Sequence, residues 1–400
     1  MPEPRALEAA RLALTARVDS LRSVVEDIAV SLYENPELGG SEVFASRKLR
    51  SILEAAGFAV ETDIAGMPTA FRATCGKSGP AIAFLAEYDA LPGIGHGCGH
   101  NLVGACSVAA ALACRQAAPD IGTWIVYGTP AEETIGGKIA MAEAGVFADV
   151  DAAFIAHPGR RNSLGGRSWA SHPIELTFRG RPAHAGGSPQ DGINALDALV
   201  MAYLQIRNLR HSLRDDVRLA GIITHGGDAQ NVVPDRTQAR FTIRATEWRY
   251  LEEVVLPKVK RAAEGAALAG GTQLEWRHHE PLFRETLAHP VLQEFARRNF
   301  ECLGETIPPP RADGGVTDVG NVTWAIPCIQ IGYAMTDAPG HSRDMATDTI
   351  AKRGIDATLM AAKVLALSAF DLASNPAALE EAWERLRRAA SREPRATSRE

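Results

Sequence analysis

What this chain lacks narrows it first. None of its six cysteines stands in a Cys-x-x-Cys pair; Cys75, Cys98, Cys106, Cys114, Cys302 and Cys328 are scattered through 400 residues. A disulfide scaffold and a structural zinc knuckle are therefore not expected. There is no excess of positive charge. The formal net charge is -6, so electrostatics give no reason to expect nucleic acid as a partner. No run of about 18 apolar residues occurs, which argues against a membrane span. The opening stretch, MPEPRALEAARLALTARVDSLRSVV, is amphipathic and charged throughout, without the apolar core of a signal peptide. A reducing cytoplasm is the expected compartment. Repeats and low-complexity segments are also missing. What is present is an apolar fraction of 46%, ordinary for well-filled cores. The length suits two domains, or one with a large insertion.

The periodicity predicts one helix over 6–31, with Leu14, Val18, Leu21, Val25 and Ile28 on one face. A turn follows at 34–40, then a helix over 41–56 closed by Gly57. Strands are expected at 58–64, 69–75, 81–86, 122–127 and 151–157, with helices after the third and fourth. This alternation predicts a mostly parallel sheet covered by helices on both faces. Near Ser171 the pattern changes. Strands at 172–180, 218–227, 237–245 and 272–280 interleave with helices at 193–210 and 249–269. That is the β-α-β-β-α-β order of a ferredoxin-like α+β domain, complete within about 110 residues, the size of a small domain. Residues 171–285 are read as this insertion, between 1–170 and 286–375. The resumed part holds a helix over 289–303, a loop PPPRADGGVTDVG, a strand over 327–334, a loop TDAPGHSRDM and a helix over 349–372. Residues 376–400 form a charged tail with one helix over 379–389 and a disordered end.

The stretch AIAFLAEYDALPGIGHGCGHNLVGACSVAAA, residues 81–111, organises the rest. A buried strand opens into a loop, and strand ends that open into loops are where α/β folds place ligands. Five segments carry a metal-type ligand just after a strand or in the loop beyond it: Asp89, Cys98 with His100, Glu132 with Glu133, His157 and His341. One such residue means little, since a lone His is usually a satisfied polar residue. Five with the same placement point to convergence at one sheet edge. Neighbouring residues on an extended segment point to opposite sides, so one carboxylate of Glu132-Glu133 can bind metal while the other acts as a base. A solvated helix start is the competing explanation; the preceding apolar strand and Thr129-Pro130 weigh against it.

Together AEYDALPGIGHGCGHN, TPAEE, AHP, RPAHAG, TDVGNVTW and PGHS resemble the M20 family of metallopeptidases and amidohydrolases. The branch resembled is the one with a Cys-Gly-His loop, nearest aminobenzoyl-glutamate hydrolases and β-alanyl-dipeptidase-like enzymes. The resemblance spans residues 30–345. It implies a zinc-peptidase-like α/β domain interrupted by a ferredoxin-like lid that also mediates homodimerisation. It implies metal-dependent hydrolysis of an N-acyl or N-aminobenzoyl amino acid, or of a dipeptide, with release of a free amino acid.

Residue roles follow from the same resemblance. Cys98 would bridge two divalent ions, zinc or manganese, with cobalt or nickel also compatible. His100, Glu133, His157 and His341 would complete the ligand set. Glu132 would be the general base and Asp89 the acid that orients a ligand. Glu87 sits where other branches carry a ligating His, a place His100 would take here. His184 would stabilise the oxyanion in a partner subunit's site. Asn231 and Arg244 would hold the substrate carboxylate, for which Arg is suited. Thr317 and Asp318 would line the substrate pocket. Ser171 and Arg284, at the two chain crossings, would be hinges for lid closure.

Two other readings compete. A dinucleotide loop is one, since GIGHGCGH follows a strand and precedes a helix. His100 occupies the third glycine position, however, and no acid ends a second strand at the required distance. A non-catalytic binding protein on the same fold is the other; the complete ligand set with its base argues against decay.

Overall fold

The computed structural model describes residues 4–76, 78–310 and 315–391. Ten strands form among them: β1 (Ala59–Thr62), β2 (Phe71–Cys75), β3 (Ala81–Ala86), β4 (Thr123–Gly128), β5 (Ala152–Gly159), β6 (Ala170–Arg179), β7 (Arg218–His225), β8 (Arg236–Ala245), β9 (Gln273–His278) and β10 (Cys328–Ala334). The chain divides into two compact units. One holds the chain up to Arg167 and resumes at Thr286; the other runs from Ser168 to Glu285, with Gly315 and Val316 assigned to it.

The first unit carries a six-stranded sheet in the order β1-β2-β4-β3-β5-β10. The pairs β4–β3, β3–β5 and β5–β10 are parallel, whereas β1–β2 and β2–β4 are antiparallel. The sheet is thus parallel where its strands are apolar throughout, as in Ala81–Ala86 and Ala152–Ala156, which are buried apart from the half-buried Ala81. The helix His100–Ala117 is buried over fifteen of its residues. Its small side chains allow close approach: a Cβ on Gly104 would stand 3.0 Å from the Glu87 carbonyl oxygen.

The helix expected over 6–31 is two, Pro4–Ser20 and Arg22–Glu34. Leu21 departs from helical backbone (φ -91, ψ 9), and Val24 and Val25 N–H both restart on its carbonyl. Leu14, Val18, Leu21, Val25 and Ile28 all stay buried. The break preserves the phase of the apolar stripe, so periodicity cannot reveal it. Gly57, at φ +82, follows the helix Val43–Ala55. The Phe58 N–H donates back to the Leu53 carbonyl, the six-to-one bond of a Schellman ending. Within the loop expected around 308–320, residues 311–314 lie outside the described residues, and its last residues start the helix Val319–Ala325. The C-terminal helix runs Pro376–Ala390, with Asn375 capping its start. The tail end beyond 391 lies outside the described residues.

The second unit is a four-stranded antiparallel sheet, ordered β7-β8-β6-β9. Helices Ala195–Asn208 and Leu256–Gly270 bury Ala198, Leu199, Ala202, Val259 and Ala263 in the same core as Ile174, Leu176, Phe241 and Ile243. The Asn194 side chain caps the first helix, accepting from Leu196 N–H at 2.9 Å. Before the second, Leu251–Val255 form a π-turn. Pro257 has no N–H to donate to the Glu253 carbonyl, which favours such irregularity.

Candidate metal centre

Four adjacent parallel strands deliver the site. Glu87 and Asp89 follow β3, Glu132 and Glu133 follow β4, His157 lies near the end of β5, and His341 lies in the loop after β10. The loop before the helix His100–Ala117 adds Cys98, and His100 opens that helix. Gly99 between them is required twice over. It lies at φ +84, and a Cβ there would meet Pro158 Cγ at 2.4 Å. Any other residue would strain the backbone and push His157's neighbour aside.

These side chains meet. Cys98 Sγ is 3.6 Å from His157 Nε2. His100 Nε2 lies 3.4 Å from Glu87 Oε2 and 3.9 Å from Glu133 Oε1. Glu133 Oε1 lies 3.6 Å from His341 Nε2. Ligand atoms of Cys98, His100 and His157 fall within 4.8 Å of one another, as do those of Cys98, Glu133 and His341, and those of His100, Glu132 and Glu133.

The hydrogen bonds fix which atoms remain for a cation. Asp89 is central: Oδ1 is 2.9 Å from His100 Nδ1, and Oδ2 accepts the Glu133 N–H at 2.9 Å. One carboxylate therefore orients two ligand residues and leaves His100 Nε2 as a lone-pair donor. His157 Nδ1 faces the Pro158 carbonyl at 2.9 Å, which likewise turns its Nε2 toward the centre. His100 Nε2 and Glu133 Oε1 are buried without a hydrogen-bond partner. Buried polar atoms are normally satisfied, so these orphans mark where a metal ion fits.

The electrostatics agree with that fit. Burial works against charging His100, but Cys98, Asp89 and Glu87 outweigh it and push its pKa well up. The cluster calls for positive charge. Burial also pushes the Cys98 thiol up to about 12, and a coordinating cation is what deprotonates such a thiol. Burial holds His157 down, neutral and ready to ligate. Burial would raise Asp89, but the His100 ring, its hydrogen bond and the Glu133 N–H bring it down to about 2. Glu132 is pushed well above the usual carboxylate range, by burial first and then by Asp318 and Glu87.

Backbone geometry aims the two glutamates. Ala131 lies at φ +61, an uncommon conformation for a residue with a Cβ. Its N–H donates to Glu42 Oε1 at 2.7 Å, while Glu42 Oε2 accepts from Thr69 Oγ1 at 3.0 Å. Glu42 is fully buried and escaped sequence reasoning, because nothing in ELGGSEVF distinguishes it from a solvated helix start. His341, exposed and at φ +57, is held by its N–H on the Gly97 carbonyl. Lys138 was also missed. It is fully buried, with Nζ 2.7 Å from both Glu87 Oε1 and Asp318 Oδ1. A lysine in the first turn of a short helix ordinarily reads as solvent-facing.

The remaining sequence-predicted residues are placed differently. Asp318 is buried with both oxygens engaged, since Oδ2 accepts the Lys138 N–H at 3.0 Å. Thr317 Oγ1 accepts from Val319 N–H at 3.3 Å, starting the helix there. His184 and Asn231 belong to the second unit and both are exposed. Ala185 N–H donates to the Asn231 carbonyl at 3.0 Å, so the two neighbour each other. His184 Nδ1 accepts from the Gly186 and Gly187 N–H groups, leaving Nε2 as the outward donor. Arg244 lies near the far end of β8, opposite Ser171 on β6. Asn231 precedes the start of β8, so roughly 25 Å of strand separates them at 3.3 Å per residue. One chain does not bring Asn231 and Arg244 together.

Residues 83–368 match the model of peptidase family M20/M25/M40. The chain belongs to this family. An Xaa-Arg dipeptidase of Mus musculus is 34% identical, over 94% of this chain and 93% of its own. A p-aminobenzoyl-glutamate hydrolase chain of Escherichia coli is 30% identical, over 91% and 92%. Among solved structures, an aminobenzoyl-glutamate utilization protein from Klebsiella pneumoniae superposes with a TM-score of 0.69 at 20% identity, covering 90% of this chain and 98% of its own. A Bacillus subtilis dinuclear metal binding peptidase of the M20 family gives 0.64 at 22%, over 87% and 98%. This M20 chain is accordingly a metal-dependent hydrolase of amide bonds. No helix among the described residues is long and apolar enough to cross a membrane.

Proposed function

We propose that this M20 hydrolase cleaves the amide of a dipeptide or an N-acyl or N-aminobenzoyl amino acid and releases a free amino acid. The observation that carries this is the meeting of Cys98, His100, Glu133, His157 and His341 beside Glu132 at one end of the parallel strands. Two divalent ions would be held by those five residues, zinc or manganese matching the sulfur, imidazole and carboxylate donors. When bound, such ions acidify water and polarise the scissile carbonyl.

The chain's own residues do the rest. Glu132 takes the proton from the attacking water and returns it to the leaving amine. Asp89 keeps His100 and the Glu133 backbone in register. His184 Nε2 donates to the developing oxyanion, acting in the site of a second copy, with residues 171–285 serving as lid and dimerisation domain. Asn231, its neighbour, meets the substrate carboxylate. The cytoplasm is the proposed compartment.

The dipeptidase reading is favoured over simple deacylation because likeness to an Xaa-Arg dipeptidase extends over 94% of the chain. The test is amino acid release by the metal-loaded protein from a panel: Xaa-Arg and β-alanyl dipeptides, p-aminobenzoyl-glutamate and N-acetyl amino acids. Cleavage that stops with EDTA and returns with Mn²⁺ or Zn²⁺ is expected. No release from any member would overturn the proposal.

A further inference from the structure

A cluster made of carboxylates alone lies beside the ligand set: oxygens of Glu87, Glu132 and Asp318 fall within 4.8 Å of one another. Glu87 and Asp318 are fully buried. By donor chemistry alone, three converging carboxylates are a site for a hard divalent ion. Here a side chain stands in that place. The Lys138 ammonium, itself fully buried, sits 2.7 Å from Glu87 Oε1 and 2.7 Å from Asp318 Oδ1. Its backbone N–H also donates to Asp318 Oδ2 at 3.0 Å, so Asp318 grips the lysine at both ends. Glu87 turns its other oxygen toward His100 Nε2 at 3.4 Å.

We propose that Lys138 is a positioning residue that serves as a tethered cation: it fills the Glu87–Glu132–Asp318 cluster in place of a metal ion and so limits the chain to the Cys98, His100, Glu133, His157 and His341 set. Two consequences follow. A third divalent ion is kept away from Glu132, whose carboxylate must stay uncoordinated to carry protons. Glu87 is held by one oxygen, which fixes the wall behind His100. A buried charge left without its partner is strongly destabilising, so the cluster requires some cation. An ammonium on a fixed stem supplies one charge at one point and cannot be exchanged for metal.

This inference rests on the two-ion reading above, and the experiment separates the two. Metal per chain is measured by elemental analysis after loading with Mn²⁺ at pH 8 and gel filtration, on wild type, Lys138→Met, Lys138→Arg and the double variant Lys138→Met/Asp318→Asn. Wild type without metal would break the two-ion reading. With wild type at two, the expected result is about three for Lys138→Met, two for Lys138→Arg, and two for the double variant, which removes one charge of each sign. Two ions in a folded Lys138→Met would overturn the tethered-cation role. Should Lys138→Met fail to fold, folding of the double variant, or rescue of Lys138→Met by Mn²⁺, supports it. If neither restores the fold, the lysine serves packing and the inference falls.

Discussion

The two units treat the side chains proposed for function in opposite ways. In the first, Asp89, His100 and Glu87 are buried; a hydrogen bond joins Asp89 to His100, and an ion pair with Lys138 holds Glu87. In the second, His184 and Asn231 stand exposed on two neighbouring loop segments, supported through backbone and glycine N–H groups. A centre that must gather several anionic groups needs burial and prior orientation, because each unpaired charge costs free energy at every moment. Residues that meet substrate only during turnover carry no such cost in water. The contrast sets the proposed roles apart: substitutions in the first unit should act on assembly of the site, those in the second on its use.

The largest effect tests the first side of that contrast. Glu132→Gln keeps shape and removes the base, so kcat should fall by at least the roughly 10²–10⁴ typical of general acid–base catalysis, with metal content unchanged. Near wild-type activity, alongside a Glu133→Gln that is inactive yet metal-loaded, would swap the two roles. His184→Ala comes next, at about 10²–10³ in kcat by analogy with loss of one oxyanion donor. If it works in trans, mixing inactive His184→Ala with inactive Glu132→Gln chains restores part of the activity. Subunit exchange without recovery would put His184 outside a shared site.

Asp89→Asn should act through assembly, weakening metal affinity about 10–100-fold, as loss of an orienting partner does. Competition against a chelating dye reads this directly. Unchanged affinity would show that the His100 and Glu133 orientations do not depend on it. Asn231→Ala should act through use. Wild type is expected to prefer a substrate with a free carboxylate over its amide, and the variant to lose most of that preference, worth about 1.5–3 kcal/mol for a charged hydrogen bond. Equal cleavage of acid and amide by wild type would remove the carboxylate role.

How much of this was legible in sequence follows the same division. The candidate residues of the centre were readable because parallel strands carry their chemistry at one end, so Asp89, Glu133, His157 and His341 share a position relative to the strand pattern. The β-α-β-β-α-β order was readable from alternation, as in RFTIRA, where Phe241, Ile243 and Ala245 are buried. Lys138 and Glu42 were not, because their meaning lies in partners 180 and 89 residues away. Asp318 looked like a pocket residue for the same reason. Nor could the one-residue break at Leu21 be seen, since it leaves the buried stripe intact.

The smallest effect sharpens the contrast from the side of stability. In the second unit His172 is buried and stacks on His278 at 4.3 Å between ring centroids. Burial first, and the second imidazole after it, hold the His172 pKa down to about 4. An unfolded chain titrates its histidines near 6.5. Between those values the unfolded state binds the proton and the folded state does not, so stability rises with pH across this window. Above about 6.5 both states are neutral and the contribution is constant. As pH falls from 6.5 toward 4, wild type therefore loses stability that a His172→Phe variant, with no proton to bind, retains. The first unit's buried charges are identical in both proteins and cancel in the difference. Discounted for residual solvent screening at the ring, the relative gain should be about 1 kcal/mol at pH 4.5, or ~4 °C in melting temperature for a unit of this size. Melting curves of both proteins from pH 4.5 to 7.5 check it. A difference that stays flat across that range would mean His172 takes up its proton in the folded unit as readily as in the unfolded chain.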